Sequence, residues 1–379
     1  MLPLDGVKVL DLSRVLADPY ATMVLADLGA DVLKVEHPER GDDTRHWGPP
    51  FAGGESAYFL AVNRNKRSVG VDLKTPEGLE RVQKLAENAD VLIENWRRGA
   101  LEKLGLGYEA LRASNPDLIY CSITGFGLGP DEDRPGYDFL VQARGGVMGI
   151  TGQPGGEPTK VGVAVSDIFC GLYASNAILA ALHHRSATGE GSHLEVPLFE
   201  STLSWLANRG QEFLISGHDT GLIGNAHPSI VPYQTFDASD KPLVVAVGNN
   251  TQFVALCQAI GRPDLAEDER YATNPDRVAN REALVGTLQK AFAKHTADEW
   301  VEKIRDARVP CGPVNALADV FTDEHVRASG ILQDIEHPSA GAVRLVGSPM
   351  LFDGERLPVR RAPPTLGQHT DEVGDEGWI

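Results

Sequence analysis

"VKVLDLSRVLADPYATMVLADLGADVLKVE", residues 7–36, is the stretch that decides the fold. Residues 7–13 read as a strand, residues 20–30 as a helix ending near Gly29, and "DVLKVE" (31–36) as the next strand. Two strands joined through one helix form the unit of a parallel sheet. The alternation continues through "RSVGVDL" (67–73), "TPEGLERVQKLAENA" (75–89), "DVLIENW" (90–96) and "LIYCSITGFG" (118–127). Such repetition predicts an α/β protein with a doubly wound parallel sheet, which binds ligands in the loops at the carboxyl ends of its strands.

At 379 residues the chain has material for two packed units, and its formal net charge of −18 disfavours nucleic acid or an anionic membrane as main partner. An anionic ligand then requires basic groups gathered locally. Cys121, Cys170, Cys257 and Cys311 are far apart, with neither zinc-ligand spacing nor a disulfide framework. They read as buried free thiols of a reducing compartment. The early charges of "MLPLDGVKVLDLSR" do not fit a signal peptide, and no window approaches 18 uninterrupted apolar residues. The expectation is a cytoplasmic protein.

Residues 125–158 read as a long Gly/Pro-rich loop around the short helix-like "YDFLVQARGGVMGI". A strand-like "SHLEVPL" (192–198) and a helical "FESTLSWLANRGQEFL" (199–214) follow. Near Gly224 the texture changes: "PYQTFDASDKPLVVAVGN" (232–249) predicts a small antiparallel element, followed by three helical patterns up to residue 309. The expected division is a large domain over 1–200, completed by 330–379, and a smaller α+β domain over 225–325. Residues 201–224 and 326–329 are expected as linkers.

Asp167 stands alone between the apolar "KVGVAVS" and the helical "IFCGLYASNAILAALHHR". An aspartate there reads first as a helix N-cap. The sharper reading, compatible with the first, is a carboxylate nucleophile, because a helix N-terminus stabilises a carboxylate and an ionised aspartate needs no general base. Asp138 in "RPGYDFLVQARGG" is another cap, or a partner for Arg134 or Arg144, with the Tyr137 phenol lining a pocket. "GFGLGP" (125–130) fails as a dinucleotide fingerprint, since residue 130 is proline. Two basic loops, Arg64, Lys66, Arg67 and Lys74, then Arg97, Arg98 and Lys103, read singly as solvated surface and together as a clamp for a phosphorylated ligand. "HPERGDDTRHWGPP" (37–50) carries His37, Asp42, Asp43 and His46 without standard metal spacing and reads as a polar loop, so no metal site is expected. Neither a Gly-x-Ser-x-Gly elbow nor a Walker A sequence occurs.

Six blocks together resemble the class III CoA-transferases of the CaiB/BaiF type: residues 25–45, 63–78, 90–111, 165–191, "RVPCGPV" (308–314) and "PTLGQHTDEV" (364–373). That family includes formyl-CoA transferase, carnitine CoA-transferase and α-methylacyl-CoA racemase. The resemblance implies a Rossmann-like large domain built from both chain ends, a smaller central domain and an interlocked homodimer. It implies that Asp167 attacks an acyl-CoA thioester, giving a mixed anhydride and then an aspartyl-CoA thioester, with no metal or ATP and no permanently bound cofactor. CoA contacts map onto Arg14, Leu16, Ala17, Leu73, Lys74, Asn95 and Lys103; Arg98 and Tyr137 complete the expected ligand set. Gly-rich segments 125–129 and 145–149 are the expected covers against water.

Two alternatives stay open. The family's racemases carry His-Asp where this chain has Tyr137-Asp138, and a glutamate near the start of the small domain, where this chain has Asn249 and Asn250. Tyrosine, with an ordinary pKa of about 10, is a poor proton carrier near neutral pH. A non-catalytic acyl-CoA-binding relative is the other. Asp18 departs from the family's usual glycine and adds a carboxylate near the nucleophile. The block around Tyr137 resembles relatives acting on succinyl-CoA and dicarboxylates, so the expected reaction moves CoA from an acyl-CoA to a small carboxylic acid.

Overall fold

The computed structural model describes residues 1–373 and residue 378. The chain divides into two units: residues 1–147, 160–216 and 324–379, and residues 148–159 and 217–323.

In the larger unit six strands run parallel: β1 (Lys8–Asp11), β2 (Asp31–Glu36), β3 (Lys66–Gly70), β4 (Val91–Glu94), β5 (Ile119–Thr124) and β6 (Ser192–Pro197). Their order is β3-β2-β1-β4-β5-β6, the winding of dinucleotide-binding sheets. The chain reverses its direction of winding between β1 and β4, and a crevice opens there at the strands' carboxyl ends. Both sheet faces are covered, so the strands read as nearly unbroken apolar runs. Val9, Ile93 and Cys121 face one core, with Ala21 of helix α1 (Ala17–Asp27). Leu10, Leu92 and Tyr120, one register step along, face the other, with Val82 and Leu85 of helix α2 (Pro76–Glu87). Thr75 caps α2 by accepting from the Gly78 N–H at 3.1 Å, and Pro76 occupies its first turn.

Helix α3 (Asp138–Arg144) is the short element expected inside the Gly/Pro-rich segment, and helix α4 (Val165–Thr188) is the long one after it. By length and composition α4 is apolar enough to cross a membrane. It nevertheless carries Asp167 and buries Cys170, Ala174, Ile178 and Ala181 in the sheet's core. The carboxyl-terminal segment covers edge strand β3: the His369 N–H donates to Ser68 O, and the Gly70 N–H donates to Thr370 Oγ1.

The smaller unit contains an antiparallel sheet of Tyr233–Asp237, Pro242–Ala246 and Cys311–Pro313. Phe236, Phe253, Phe292 and Trp300 fill its core. The division of the chain differs from the sequence expectation at three places. Residues 148–159 belong with this unit, where the Gly224 N–H donates to Gly152 O at 2.9 Å. Residues 201–216, expected as linker, are helical and belong to the larger unit, the helices Leu198–Ser204 and Ala207–Ser216 being separated near the positive φ of Ala207. The expected 326–329 linker is largely helix Glu324–Ala328.

Candidate active site

Asp167 lies in the first turn of α4, yet it does not cap it. The cap is supplied from α3: Asp138 Oδ1 accepts from the Ser166 N–H at 2.9 Å, while Oδ2 accepts from Gln142 Nε2 at 2.7 Å. Gln142 in turn accepts from the Val161 N–H at 2.9 Å. Asp138 therefore fixes the start of α4. Arg134 and Arg144 both pair with Asp131 and not with Asp138, which corrects that expectation. The Asp167 carboxylate is left to face a cavity of about 330 Å³. Burial, and then the neighbouring Asp138 carboxylate, push its pKa up to about 7. Near neutral pH, ionised and protonated forms then coexist, as at sites where burial tunes a carboxyl group.

The cavity occupies the crevice between β1 and β4. Arg14, Val15, Leu16, Ala17 and Asp18 follow β1, Asn95 to Arg98 follow β4, and Gly125, Gly136, Tyr137 and Asp167 close the opposite side. Of the expected ligand contacts, Arg14, Leu16, Ala17, Asn95, Arg98, Tyr137 and Asp167 meet here; Leu73, Lys74 and Lys103 lie outside the lining. Gly125 belongs here for a packing reason: a Cβ on it would lie 2.6 Å from Gly136 N, and one on Gly136 would lie 2.5 Å from Gly125 Cα. Two backbone segments thus cross in contact at the cavity wall.

Three of the four cations of the first basic loop are not free to clamp a phosphate; only Lys74 is exposed. Arg64 is buried against Asp27, Arg67 pairs with Asp31, and Lys66 is wholly buried, donating to Pro19 O at 2.8 Å and Asn63 Oδ1 at 2.9 Å. Placing three cations inside the sheet requires internal acids, and Asp11, Asp27 and Asp31 provide them. In the second loop Arg98 pairs with Glu195, while Arg97 is exposed at the cavity. The residue 37–50 segment is no polar loop at its centre, since Asp42 is buried in an ion pair with Lys34 at 2.9 Å. Among the described residues no cluster of histidine, cysteine or acidic side chains has the arrangement to hold a metal.

Burial reveals two acids that sequence reasoning left unresolved or missed. Asp18 is 0% exposed, and neither of its carboxyl oxygens has a hydrogen-bond partner. Burial first, then Asp11 and Glu94, hold its pKa well above the usual carboxylate range. Its backbone lies in the first helical turn of α1, so no glycine-like conformation is needed there. Glu94, at the end of β4, is pushed up to about 7, again chiefly by burial. Tyr58 was also missed; burial and the Asp167 charge raise its phenol to about 12.

Across residues 4–370 the sequence matches the family model described as CoA-transferase family III. The chain belongs to CoA-transferase family III. It is 47% identical to a succinate–glutarate CoA-transferase of Agrobacterium fabrum, over 98% of this chain and 94% of that one. It is 44% identical to a succinyl-CoA:glutarate CoA-transferase of Mus musculus, over 98% and 86% of the two chains. Among solved structures, a CaiB/BaiF family protein from Brucella suis superposes with a TM-score of 0.87 at 46% identity, covering 98% of both chains. This family III transferase is thus an enzyme that moves CoA between carboxylic acids. The asparagines at the racemases' glutamate position have structural roles in the smaller unit: Asn249 caps helix Asn250–Ala259, and Asn250 accepts from buried Arg277.

Proposed function

We propose that the enzyme transfers CoA from succinyl-CoA to a short dicarboxylic acid, with glutarate the first acceptor to test, through covalent intermediates on Asp167. The observation that carries this reading is the Asp167 carboxylate, in the first turn of a helix whose start is fixed by Asp138, facing a cavity at the sheet's switch point.

The bonds balance without a co-reactant. An Asp167 oxygen attacks the thioester carbonyl carbon, the C–S bond breaks, and a mixed anhydride and CoA thiolate result. Thiolate attacks the Asp167 carbonyl, releasing the donor acid and leaving an aspartyl-CoA thioester. The acceptor carboxylate attacks that thioester and expels thiolate, which then attacks the acceptor's acyl carbon and restores Asp167. Each step exchanges one activated acyl group for another of similar energy. Arg14, Leu16, Ala17, Asn95 and Arg98 contact the CoA portion and Tyr137 flanks the acyl group; Leu73, Lys74 and Lys103 serve the distal part of CoA. Water must be kept from the intermediates, which Gly125 and Gly136 support by bringing two backbone segments together.

The working form is a homodimer. Supporting this, Phe139 and Leu140 of α3, Tyr173 of α4, and Phe213, Leu214 and Ile215 leave apolar side chains exposed on helices of one unit. A second copy of the chain is the occupant proposed to cover these side chains. Four free cysteines, three of them buried, suit a cytoplasmic setting.

The test is mass spectrometry of wild type and Asp167→Ala in D2O, with succinyl-CoA and pooled acids. New acyl-CoA made by wild type alone, without α-deuterium, supports the reading, and hydroxylamine should trap a hydroxamate at Asp167. Deuterium incorporation without acyl exchange would overturn it.

A further inference from the structure

Val15 has φ of +71°, a left-handed conformation that a β-branched side chain disfavours, and it lies in the cavity wall directly before Leu16 and Ala17. Its N–H donates to both carboxylate oxygens of Asp42, at 3.3 and 3.2 Å. We propose that Asp42 is a positioning residue for the active-site wall: locked by Lys34, it holds Val15 in the left-handed conformation that places Leu16 and Ala17 beside Asp167.

The surroundings are built for this. The Asp42 and Lys34 side chains are both 0% exposed and pair at 2.9 Å. Lys34 Nζ also donates to Ser13 O at 2.8 Å, so one ammonium grips the loop two residues before Val15 and the carboxylate gripping Val15 itself. Asp42 Oδ1 further accepts from the Thr44 N–H and Oγ1, at 2.9 and 2.8 Å. The Asp42 N–H donates to Glu36 Oε2 at 2.9 Å, and Arg45 holds Glu36 with two hydrogen bonds of 2.8 and 2.7 Å. Burial alone would push the Asp42 carboxyl up, but Lys34 and Thr44 bring it below the usual range, so the clamp is charged in the folded enzyme. Asp42 does not line the cavity; it acts through Val15. The GDDTR stretch is therefore the fastening of the site loop.

A β-branched residue released from the clamp relaxes to extended backbone, whereas glycine populates the left-handed region without it. The kinetic readout rests on the transferase reading; hydrogen exchange does not. Asp42→Asn should lower kcat by about 10–100-fold, the effect of misplacing a site by roughly an ångström. Thr44→Val, which leaves the ion pair intact, should show the same effect more weakly. Val15→Gly alone is the reference for the double variant, and Asp42→Asn should cost far less kcat in the Val15→Gly background than in wild type. By hydrogen exchange, Asp42→Asn should speed exchange of the amides at 14–18 and leave the 250–260 helix of the smaller unit unchanged. Unaltered exchange at 14–18 overturns the proposal. So does a kcat loss equally large in the Val15→Gly background, the result expected if Asp42 only stabilises the fold. A wild type without transferase activity would instead count against the function proposed above.

Discussion

The Asn95 side chain binds the backbone of Arg14 at both ends of its amide. It accepts from the Arg14 N–H at 3.0 Å and donates to the Arg14 carbonyl at 2.7 Å. The two residues follow β1 and β4, neighbouring strands from which the sheet winds in opposite directions. One side chain thereby ties together the two loops forming the crevice floor, and Arg14 stacks over Trp96 beside it, 5.3 Å from the ring centroid.

Replacing Asn95 by alanine removes both hydrogen bonds and frees the Arg14–Ala17 loop. The KM for acyl-CoA should rise by about tenfold, roughly 1.4 kcal/mol of lost binding. Asn95→Asp retains the acceptor and loses the donor, so it should fall between wild type and alanine in steady-state kinetics.

Gly171, one turn after Asp167, is the contact point between α4 and α1. A Cβ there would lie 2.3 Å from Ala17 O and 3.3 Å from Ala21 N, both backbone atoms that a rotamer change cannot move. Gly171→Ala should force the two helices apart, destabilising the protein by about 1–3 kcal/mol. It should also lower kcat/KM more than fold loss explains, because the nucleophile and the Arg14–Ala17 loop separate. Urea unfolding and kinetics on the same preparation distinguish the two effects.

Burial pushes the Asp167 pKa up to about 7, and with the carboxylate as the proposed attacking form kcat/KM should rise with pH through neutrality and level off above it. The linked stability runs the other way. Its folded pKa lies above its unfolded value, so the folded state holds more protons and loses stability between about pH 4 and 7. Asp167→Asn should therefore be more stable than wild type at pH 8, with the difference shrinking as pH falls towards 4. Thermal melts across that range give the sign directly.

Asp18 follows the same sign, its raised pKa placing the loss of stability above the ordinary aspartate range. Its two unpartnered buried oxygens carry a desolvation cost that an apolar replacement removes. Asp18→Ala should raise stability at pH 8 by about 1–3 kcal/mol. Asp18→Asn leaves the position uncharged at every pH and so isolates any effect of Asp18 ionisation on the pH profile of kcat/KM. A shift of the acidic limb to lower pH in that variant would show that Asp18 carries charge beside the nucleophile.

Much of this was legible in the chain itself. The strand–helix alternation of residues 7–127 reports period-2 and period-3.6 patterns, which local backbone geometry imposes, and those elements lie where the patterns predict. Asp167 stood out because a lone acid between two apolar stretches is a local anomaly. The basic loop at Arg64, Lys66 and Arg67 misled for the same local reason: sequence shows three cations but not the aspartates, 36 to 55 residues away for the pairs seen here, that neutralise them inside the sheet. The function of Asp42 was hidden likewise, because its partner Lys34 appears as one residue of a strand and Val15 carries no mark of a positive φ.

The sequence by itself determined the element types, the parallel sheet and the single candidate nucleophile, since each follows from residue spacing or from a group's intrinsic chemistry. Tertiary structure decided which acid caps α4, which carboxyls have raised pKa values and which cations are spent inside the sheet. Those properties depend on burial and on charges brought within a few ångströms by distant segments, and desolvation and Coulomb energy are set by that three-dimensional neighbourhood.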